Sequence, residues 1–412
     1  MQERYKRGLL TQAEQVLLAE MMAEEAQEPH KSCLGHCNPY AEPGFVANAQ
    51  YPAWKTFDPM CEAPAILREL LGAVPSAATG PAAAFRAAFI SSAERAELER
   101  VMANRTVLLV GDAVDRSMVQ SLCVMLGQQS VSVNAQHPWG YALNQVPASE
   151  FDNGVRQEPG DAILADYCYE PTFDLFVTSF YHYGIDTDSV WRKQASFYPP
   201  AQFESRVRSL LVPYIAALKT QSSPALPLAR KGIDVAVFSS SFWDLALWAE
   251  DDARSGVSVK AGLDDQRIDT WRSRIVDMIT ALHSQVGDAR IAWRSAHIPA
   301  ANVPGTTRWF MDSMRSKFDS GNVAEGNPIL SPVRVAQLNA ARRSMLPLAA
   351  KDVVRGKTSG IQWSATAQPV IGDIPFGEVT LGQDAGQTDV ARPGVVPHAY
   401  LYWDMVFAQL RE

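Results

Sequence analysis

Short apolar runs alternate with helical stretches from residue 101 to residue 412, and this alternation constrains the fold more than any other feature. The run TVLLV at residues 106–110 ends at Gly-Asp, which is typical of a buried parallel strand. The connections between runs are too long for hairpins and long enough for crossover helices. We therefore predict a three-layer α/β/α fold built on a parallel sheet. Further strands are predicted at residues 130–133, 173–180, 235–239 and 290–293, and helices at residues 114–126, 200–219, 265–285, 332–346 and 399–410.

Residues 1–100 lie outside this alternation and are predicted to form a helical N-terminal extension. Residues 11–25 have helical periodicity and open with the capping-box pattern Thr-Gln-Ala-Glu. Two further helices are predicted at residues 63–71 and 81–101. The chain thus divides into an extension, residues 1–100, and an α/β domain, residues 101–412. Within that domain, residues 350–389 are rich in Gly, Pro and Thr, which predicts a long surface loop.

The composition excludes several classes of protein. With 47% hydrophobic residues among 412, the chain can bury a core and is not intrinsically disordered. A net charge of −8 argues against nucleic acid as a partner, because proteins bind the phosphate backbone with surfaces that have an excess of Lys and Arg. No apolar stretch approaches the roughly 20 residues that a membrane-spanning helix needs. The N-terminus also lacks the pattern of a secretory signal, so we expect a cytoplasmic protein.

The five cysteines indicate neither a zinc site nor a disulfide framework. Only Cys33 and Cys37 are close together, and Cys61, Cys123 and Cys168 do not supply the second pair that a zinc site needs. We therefore expect reduced thiols, no metal and no other cofactor.

The residues that follow the predicted strands are the candidates for a functional site, because ligands of such sheets bind at the carboxyl ends of the strands. The four blocks there read GDAVDR from Gly111, YHYG from Tyr181, SSSFWD from Ser239 and WRSAHIP from Trp293. Several aromatic and charged side chains in these blocks are candidates for contact with a small molecule. They are Asp112, Tyr181, His182, Tyr183, Trp243, Trp293, Arg294 and His297.

A structural role is the alternative for several of these residues. Asp112 can cap the following helix and Arg116 can form an ion pair near the turn. His182 can be a hydrogen-bonded packing histidine, and His297 can hold the loop after the last predicted strand.

Taken in order, the four blocks resemble the SGNH (GDSL-type) hydrolase superfamily. They look closest to its PC-esterase-like branch, which includes O-acetyl esterases and transferases of cell walls and capsules and many fungal proteins. The resemblance covers residues 101–412 and implies a flavodoxin-like sheet. It further implies a serine nucleophile directly after Gly-Asp, a Gly and an Asn as oxyanion donors, and a C-terminal Asp-x-x-His-Pro that supplies the general base.

This sequence departs from the family pattern at nearly every catalytic position. Ala113 stands at the position of the nucleophile and has no hydroxyl group. Ser239 aligns with the oxyanion Asn, while Gly184 fits the oxyanion Gly. The C-terminal motif aligns from Asp389 and places Arg392 where the base would be, and an arginine stays protonated at neutral pH.

Two explanations fit these departures. Ala113 is either an engineered replacement of a catalytic serine or the trace of a lineage that has lost hydrolysis. An engineered change alone would leave the base in place, which favours natural loss. His398 offers an alternative base if the alignment near Pro393 and Pro397 is shifted.

We therefore predict a repurposed SGNH-type scaffold that binds an apolar small molecule. Oxyanion donors and aromatic walls can orient a substrate and polarise its carbonyl group without a nucleophile. Such a site suits natural-product-type chemistry such as cyclisation, cycloaddition or isomerisation, with Ala113, Gly184, Ser239 and Arg392 as the candidate donors. The alternatives are an esterase or O-acyltransferase with His398 as its base, and a non-catalytic protein that binds a small molecule.

Overall fold

A seven-stranded sheet lies at the centre of the computed structural model, in the order β4-β5-β6-β3-β7-β8-β9. Strand β3, Thr106–Gly111, is buried along its whole length and lies between β6, Leu175–Tyr181, and β7, Val235–Phe238. Strands β8, Arg290–Arg294, and β9, Gly372–Ile374, continue the parallel part of the sheet. Parallel strands this apolar require cover on both faces. Together with the helices below, the sheet confirms the three-layer α/β/α fold class.

The structure describes residues 38–47, 52–75, 91–151, 154–155, 157–185, 197–220, 230–257, 261–298, 331–357, 371–381 and 393–411. Residues Tyr40–Glu412 belong to one compact unit. The helix predicted at residues 11–25 lies outside the described residues.

One edge of the sheet is antiparallel, so the sheet is mixed rather than wholly parallel as predicted. Strand β4, Val131–Asn134, pairs with β5, Ile163–Glu170, and β5 pairs in turn with β6. The sequence does not reveal β5, because Asp166 interrupts its apolar residues. The carboxylate of Asp166 is buried but paired, since Arg116 Nε lies 2.5 Å from its Oδ2.

Strand β9 corrects the prediction of a surface loop over residues 350–389. Gly372 and Ile374 are buried, and the short helix that follows them, Phe376–Val379, is buried as well. A strand of three residues is too short to show a periodicity, so its sequence looks like a loop.

Helices cover both faces of the sheet, and none in the described parts of the chain is long and apolar enough to cross a membrane. One helix, α6 (Phe242–Ser255), is not predicted from the sequence. Another, α8 (Pro332–Lys357), continues past Pro347 and beyond its predicted end at residue 346. The helices are α1 Ile66–Ala73, α2 Ser92–Met102, α3 Ala113–Leu126, α4 Phe203–Arg206, α5 Val212–Thr220, α6 Phe242–Ser255, α7 Asp265–Val286, α8 Pro332–Lys357, α9 Phe376–Val379 and α10 Tyr400–Ala408. The segments Val207–Leu211 and Val395–Ala399 are π-helical, and Pro138–Gln145 and Ala148–Glu150 are 3₁₀-helical.

Aromatic side chains join the helices of one face to the strands. Phe203 of α4 packs on Phe238 of β7 with ring centroids 5.5 Å apart, and Trp271 of α7 packs on Trp293 of β8 at 5.6 Å. Helix α3 packs against β3, β5 and β6, and Trp403 of α10 donates a 3.0 Å hydrogen bond to the Met118 carbonyl oxygen of α3.

The described part of the predicted extension contains helices and one unpredicted strand pair. Strands β1, Gly44–Ala47, and β2, Ala53–Thr56, pair antiparallel. Helix α1 is anchored to the α/β core, because the carboxylate of Asp404 in α10 accepts a 2.7 Å hydrogen bond from the backbone N–H of Leu67. Asp404 therefore caps the start of a helix that is distant in sequence.

Asp404→Asn is expected to stabilise the protein at neutral and alkaline pH. Burial raises the pKa of Asp404 to about 8, above the ordinary value of about 3.9 in an unfolded chain. The stability that this group contributes is full below pH 4 and is lost as the pH rises through 8. The asparagine keeps the acceptor for Leu67 without the buried charge. Urea unfolding should show the variant gaining about 2 kcal/mol or more over the wild type between pH 5 and pH 9.

Glu62→Gln is the matched control for that experiment, because Glu62 is a surface carboxylate beside Lys55. It should leave the pH dependence of unfolding unchanged. A constant difference between Asp404→Asn and wild type across this pH range would contradict a buried, protonated Asp404.

A disulfide joins Cys123 of α3 to Cys168 of β5, with Cα atoms 5.5 Å apart. Both cysteines are buried, and Cys61 is disulfide-bonded as well. The expectation of reduced thiols is therefore wrong for these residues, because positions distant in sequence meet where helix and sheet pack. Disulfides persist mainly in oxidising compartments, so the bond favours such a compartment over the cytoplasm.

Replacing both Cys123 and Cys168 by alanine is expected to destabilise the fold. The bond closes a loop with a sequence separation of 45 residues. Without it the unfolded chain gains conformational entropy, which lowers the free energy of unfolding by up to about 4 kcal/mol at room temperature. Urea unfolding under non-reducing conditions measures the difference. Free thiols at both positions of the unfolded wild-type chain would contradict the bond.

Candidate functional site

The tight turn between β3 and α3 presents the residues of the Gly-Asp motif. Gly111 has no room for a side chain, because a Cβ there would collide with the carboxylate of Asp115 and the hydroxyl of Ser239. Asp112 is the N-cap of α3, and its Oδ1 accepts a 2.8 Å hydrogen bond from the Val114 N–H. Asp115 completes the capping box by accepting from the Asp112 N–H at 3.1 Å. Ala113 is thereby placed at the first turn of the helix.

A buried ion pair ties this turn to the block that follows β8. The Nε and Nη2 atoms of Arg294 donate to the two carboxylate oxygens of Asp115 at 2.9 and 2.8 Å. The Ser239 hydroxyl donates to Asp115 at 2.7 Å and accepts from Arg294 Nη2 at 2.7 Å. Three of the four sequence blocks therefore meet in one network, and both charged side chains are only 1% exposed. The Ser239 hydroxyl is engaged inside this network.

His182 joins the remaining block to the network. Its Nδ1 accepts from the Gly184 N–H at 3.0 Å, so its Nε2 carries the proton and donates to the Ser239 carbonyl oxygen at 2.8 Å. Burial lowers the pKa of His182 to about 4, which keeps the ring neutral at physiological pH. The Gly184 N–H is thus donated to His182, and Gly184 itself has the positive φ of 75° that the turn requires.

The Phe-Trp-Asp segment after β7 supports the same turn. Asp244 accepts from the Ile185 N–H at 2.8 Å and from Trp271 Nε1 at 3.0 Å. Trp243 donates from its indole N–H to the hydroxyl oxygen of Tyr181 at 2.8 Å. The indole fixes the position of the Tyr181 phenol. Because the phenol oxygen accepts this bond, the O–H hydrogen of Tyr181 remains available to donate.

A cavity of about 620 Å³ opens at the carboxyl ends of β3 and β6, within the volume range typical of small-molecule sites. Asp112, Ala113 and Arg116 form one side of it, and Tyr181 and Tyr183 form another, with their ring centroids 5.3 Å apart. The rest of the described wall includes Leu143, residues 157–166, Ser179, Phe180, Phe197, Tyr198 and Arg206. The structure thus brings four of the predicted contact and nucleophile positions together: Asp112, Ala113, Tyr181 and Tyr183.

Asp112 is the titratable group best placed to act on a molecule in this cavity. Asp112 is only 5% exposed, and no hydrogen-bond donor among the described residues reaches its Oδ2. Burial and, to a lesser extent, the neighbouring charge of Asp115 raise the pKa of Asp112 to about 6, against the opposing effect of Arg294. Arg294 Nη2 lies 4.0 Å from Oδ1. A buried carboxyl with one free oxygen and a pKa near neutrality is suited to proton transfer.

The tyrosine beside this carboxyl is a neutral hydrogen-bond donor. Burial raises the pKa of Tyr181 well above its ordinary value, and the neighbouring Tyr183 and Asp112 raise it as well. The phenol therefore stays protonated. Arg116 is paired within the same wall, because its guanidinium binds the carboxylate of Asp166.

Other predicted site residues lie away from the described cavity wall. Trp293 packs in the core against Phe238 and Trp271, and His297 packs between Phe242 and Phe376. His398 is buried in the π-helical segment before α10, with its ring 6.4 Å from that of Phe376. Asp389 and Arg392 lie outside the described residues.

Two residues of this site are not candidates from the sequence. Asp115 looks like an ordinary capping residue, and only the pairing with Arg294 shows its role. Arg206 lies in a stretch that predicts a plain helix, and nothing in its local pattern indicates that it lines a cavity. Among the residues that the structure describes, no cluster of His, Cys, Asp and Glu could hold a metal ion.

Fold and site define an α/β protein with a small-molecule cavity at the carboxyl ends of its parallel strands. No protein-family model and no curated protein sequence matches the chain. Among solved structures, the crystal structure of a lipase, Lip_vut3, from a goat rumen metagenome matches over 73% of this chain and 95% of its own, with 9% identity and a TM-score of 0.31. The resemblance to SGNH hydrolases rests on the motif blocks and stays a prediction.

Proposed function

We propose that this chain converts a small carbonyl compound by proton transfer, as an isomerase or cyclase does, without covalent catalysis. The observation that carries the proposal is that Asp112, a residue of the cavity wall, has a buried carboxylate oxygen, Oδ2, without a hydrogen-bond partner among the described residues. A carboxylate with a pKa of about 6 is mostly ionised at neutral pH and can remove a proton from the carbon next to a carbonyl group.

The negative charge that develops on the carbonyl oxygen needs a hydrogen-bond donor. Tyr181 lines the same cavity and its hydroxyl is held by Trp243, so we assign it as the donor to that oxygen. The N–H of Ala113 is a second candidate donor, because a helix leaves its first amides without partners inside the helix. Where the substrate has a C=C bond next to the carbon that loses the proton, return of the proton from Asp112 to the far end of the conjugated enolate shifts that double bond and completes an isomerisation. No atom of the protein forms a covalent bond.

Ala113, at the position of the nucleophile, favours proton transfer over acyl transfer as the reaction. Ala113 has no nucleophilic atom, and no histidine is part of the cavity wall over the described residues. The scaffold thus offers positioning, a base and donors, which are sufficient for enolisation and for the cyclisations that follow from it.

Hydrogen exchange of a model ketone tests the proposal. The compound 4-oxo-4-phenylbutanoate carries exchangeable hydrogens beside its ketone, and incorporation of deuterium from heavy water is followed by NMR. We expect the protein to accelerate exchange at that carbon. Absence of acceleration across a panel of aryl and alkyl ketones, while the same ketones bind, would overturn the proposal and favour a non-catalytic binding protein.

Ala113→Ser separates this proposal from the esterase alternative. If Ala113 replaces a catalytic serine in an otherwise intact hydrolase, the variant should hydrolyse simple acyl esters strongly. We expect no such gain, because the described wall offers a serine there no histidine base. A gain of several orders of magnitude in ester hydrolysis would contradict natural loss of the hydrolase.

A further inference from the structure

Arg206 is a buried cation in the cavity wall, and it has no acidic partner among the residues that the structure describes. Its side chain is 2% exposed. Nε donates to the Tyr181 carbonyl oxygen at 2.5 Å, and Nη1 donates to the carbonyl oxygens of Tyr198 and Pro200 at 2.8 and 3.1 Å. No acceptor among the described residues reaches the two hydrogens of Nη2. The guanidinium is therefore held firmly on one side and keeps two donors for another group.

The other buried arginines of the described chain show what is unusual about Arg206. Each of them pairs with at least one carboxylate, as a buried charge generally must. Arg206 is bound only by backbone carbonyl oxygens and by the faces of aromatic rings, with Cζ 5.0 Å from the centroid of Tyr183. Burial lowers the pKa of Arg206, as expected for a cation that is removed from water without a carboxylate partner. The paired arginines are Arg230, Arg294, Arg334 and Arg342.

The local backbone sets Arg206 apart as well. It is the last residue of α4 and directly precedes the π-helical segment Val207–Leu211. Single π-helical turns within α-helices occur often at functional sites. Here such a turn begins directly after a residue of the cavity wall that also contains Asp112.

We propose that Arg206 binds a carboxylate group of the substrate, so that the cavity takes an aryl or alkyl keto acid. The guanidinium offers the planar pair of donors that suits a carboxylate, and the aromatic walls contact the apolar part of the molecule. The assignment of the ketone rests on the proposed function, whereas binding of the carboxylate at Arg206 does not require Asp112 to act.

Binding of a matched pair of compounds tests this proposal. Calorimetry at pH 8 compares 4-oxo-4-phenylbutanoate with its neutral amide, 4-oxo-4-phenylbutanamide. The wild type should bind the carboxylate about tenfold or more tightly than the amide. Arg206→Gln should bind the two compounds equally, and Arg206→Lys should retain part of the preference, because it keeps the charge without the planar fork. Arg208→Gln, an exposed neighbour, should keep the full preference.

Arg206→Lys keeps the experiment informative if Arg206→Gln does not fold. Equal binding of both compounds by the wild type, or an undiminished preference in a folded Arg206 variant, would overturn the proposal. The failure of the proposed function has a different signature. A wild type that prefers the carboxylate but does not accelerate hydrogen exchange would leave the carboxylate site standing and remove the catalytic role of Asp112.

Discussion

Asp112→Asn is expected to reduce the acceleration of ketone hydrogen exchange about 10²- to 10⁴-fold, the usual contribution of a positioned general base. Asparagine has nearly the same shape and keeps an oxygen for the Val114 N–H, so the cap of α3 remains. Stability should be unchanged or slightly higher, because the variant removes a buried charge beside Asp115. NMR exchange rates and urea unfolding together separate the chemical role from the structural one.

Asp264→Asn is the matched control for this variant. Asp264 is the N-cap of α7 and accepts from the Arg267 N–H at 2.7 Å, so the same substitution is made in the same structural role away from the cavity. It should leave the exchange rate unchanged. Equal rates for Asp112→Asn and wild type would show that Asp112 only caps its helix.

Arg294→Met is expected to lower the free energy of unfolding by about 3–5 kcal/mol, since it leaves the carboxylate of Asp115 buried without its cation. The same change should raise the pKa of Asp112, because Arg294 is the positive charge that lowers it. Arg294 is thus a positioning residue. Its replacement by methionine should shift the pH profile of ketone hydrogen exchange towards higher pH. Urea unfolding measures the first effect, and exchange rates across pH measure the second.

Arg100→Met provides the comparison on the protein surface. Arg100 pairs with Glu97 on the exposed face of α2, and solvent screening leaves such pairs with little effect on stability. A loss of similar size for Arg294→Met would contradict the buried network. The double variant Asp115→Asn with Arg294→Met should recover part of the loss, because neither charge is then left unpaired.

Four parallel strands, β3, β6, β7 and β8, were predictable because each contains a short apolar run followed by a turn signal. The fifth, β9, was not, because its three residues are too few to show a pattern. Strand β3 is the clearest, since TVLLVGD combines an apolar run with a glycine that packing requires. Strand β5 was not predictable, because its Asp166 is compatible with a strand only once Arg116 lies beside it. The disulfide between Cys123 and Cys168 likewise depends on helix and strand meeting in space.

The site was predictable in its location and less so in its chemistry. The rule that ligands bind at the carboxyl ends of parallel strands predicts Asp112, Ala113 and Tyr181 as site residues, and all three line the cavity. The roles within the motifs depend on distances that the sequence does not contain. The pairing of Arg294 with Asp115 and the backbone bonds of His182 are contacts of this kind.

The pH dependence of catalysed hydrogen exchange tests the central claim most directly. Because the carboxylate form of Asp112 is the base, the rate for 4-oxo-4-phenylbutanoate should rise with pH through an apparent pKa of about 6 and then level off. The residual rate of Asp112→Asn should show no such inflection. A rate that is flat between pH 5 and pH 8, or the same inflection in Asp112→Asn, would contradict proton transfer by this carboxyl group.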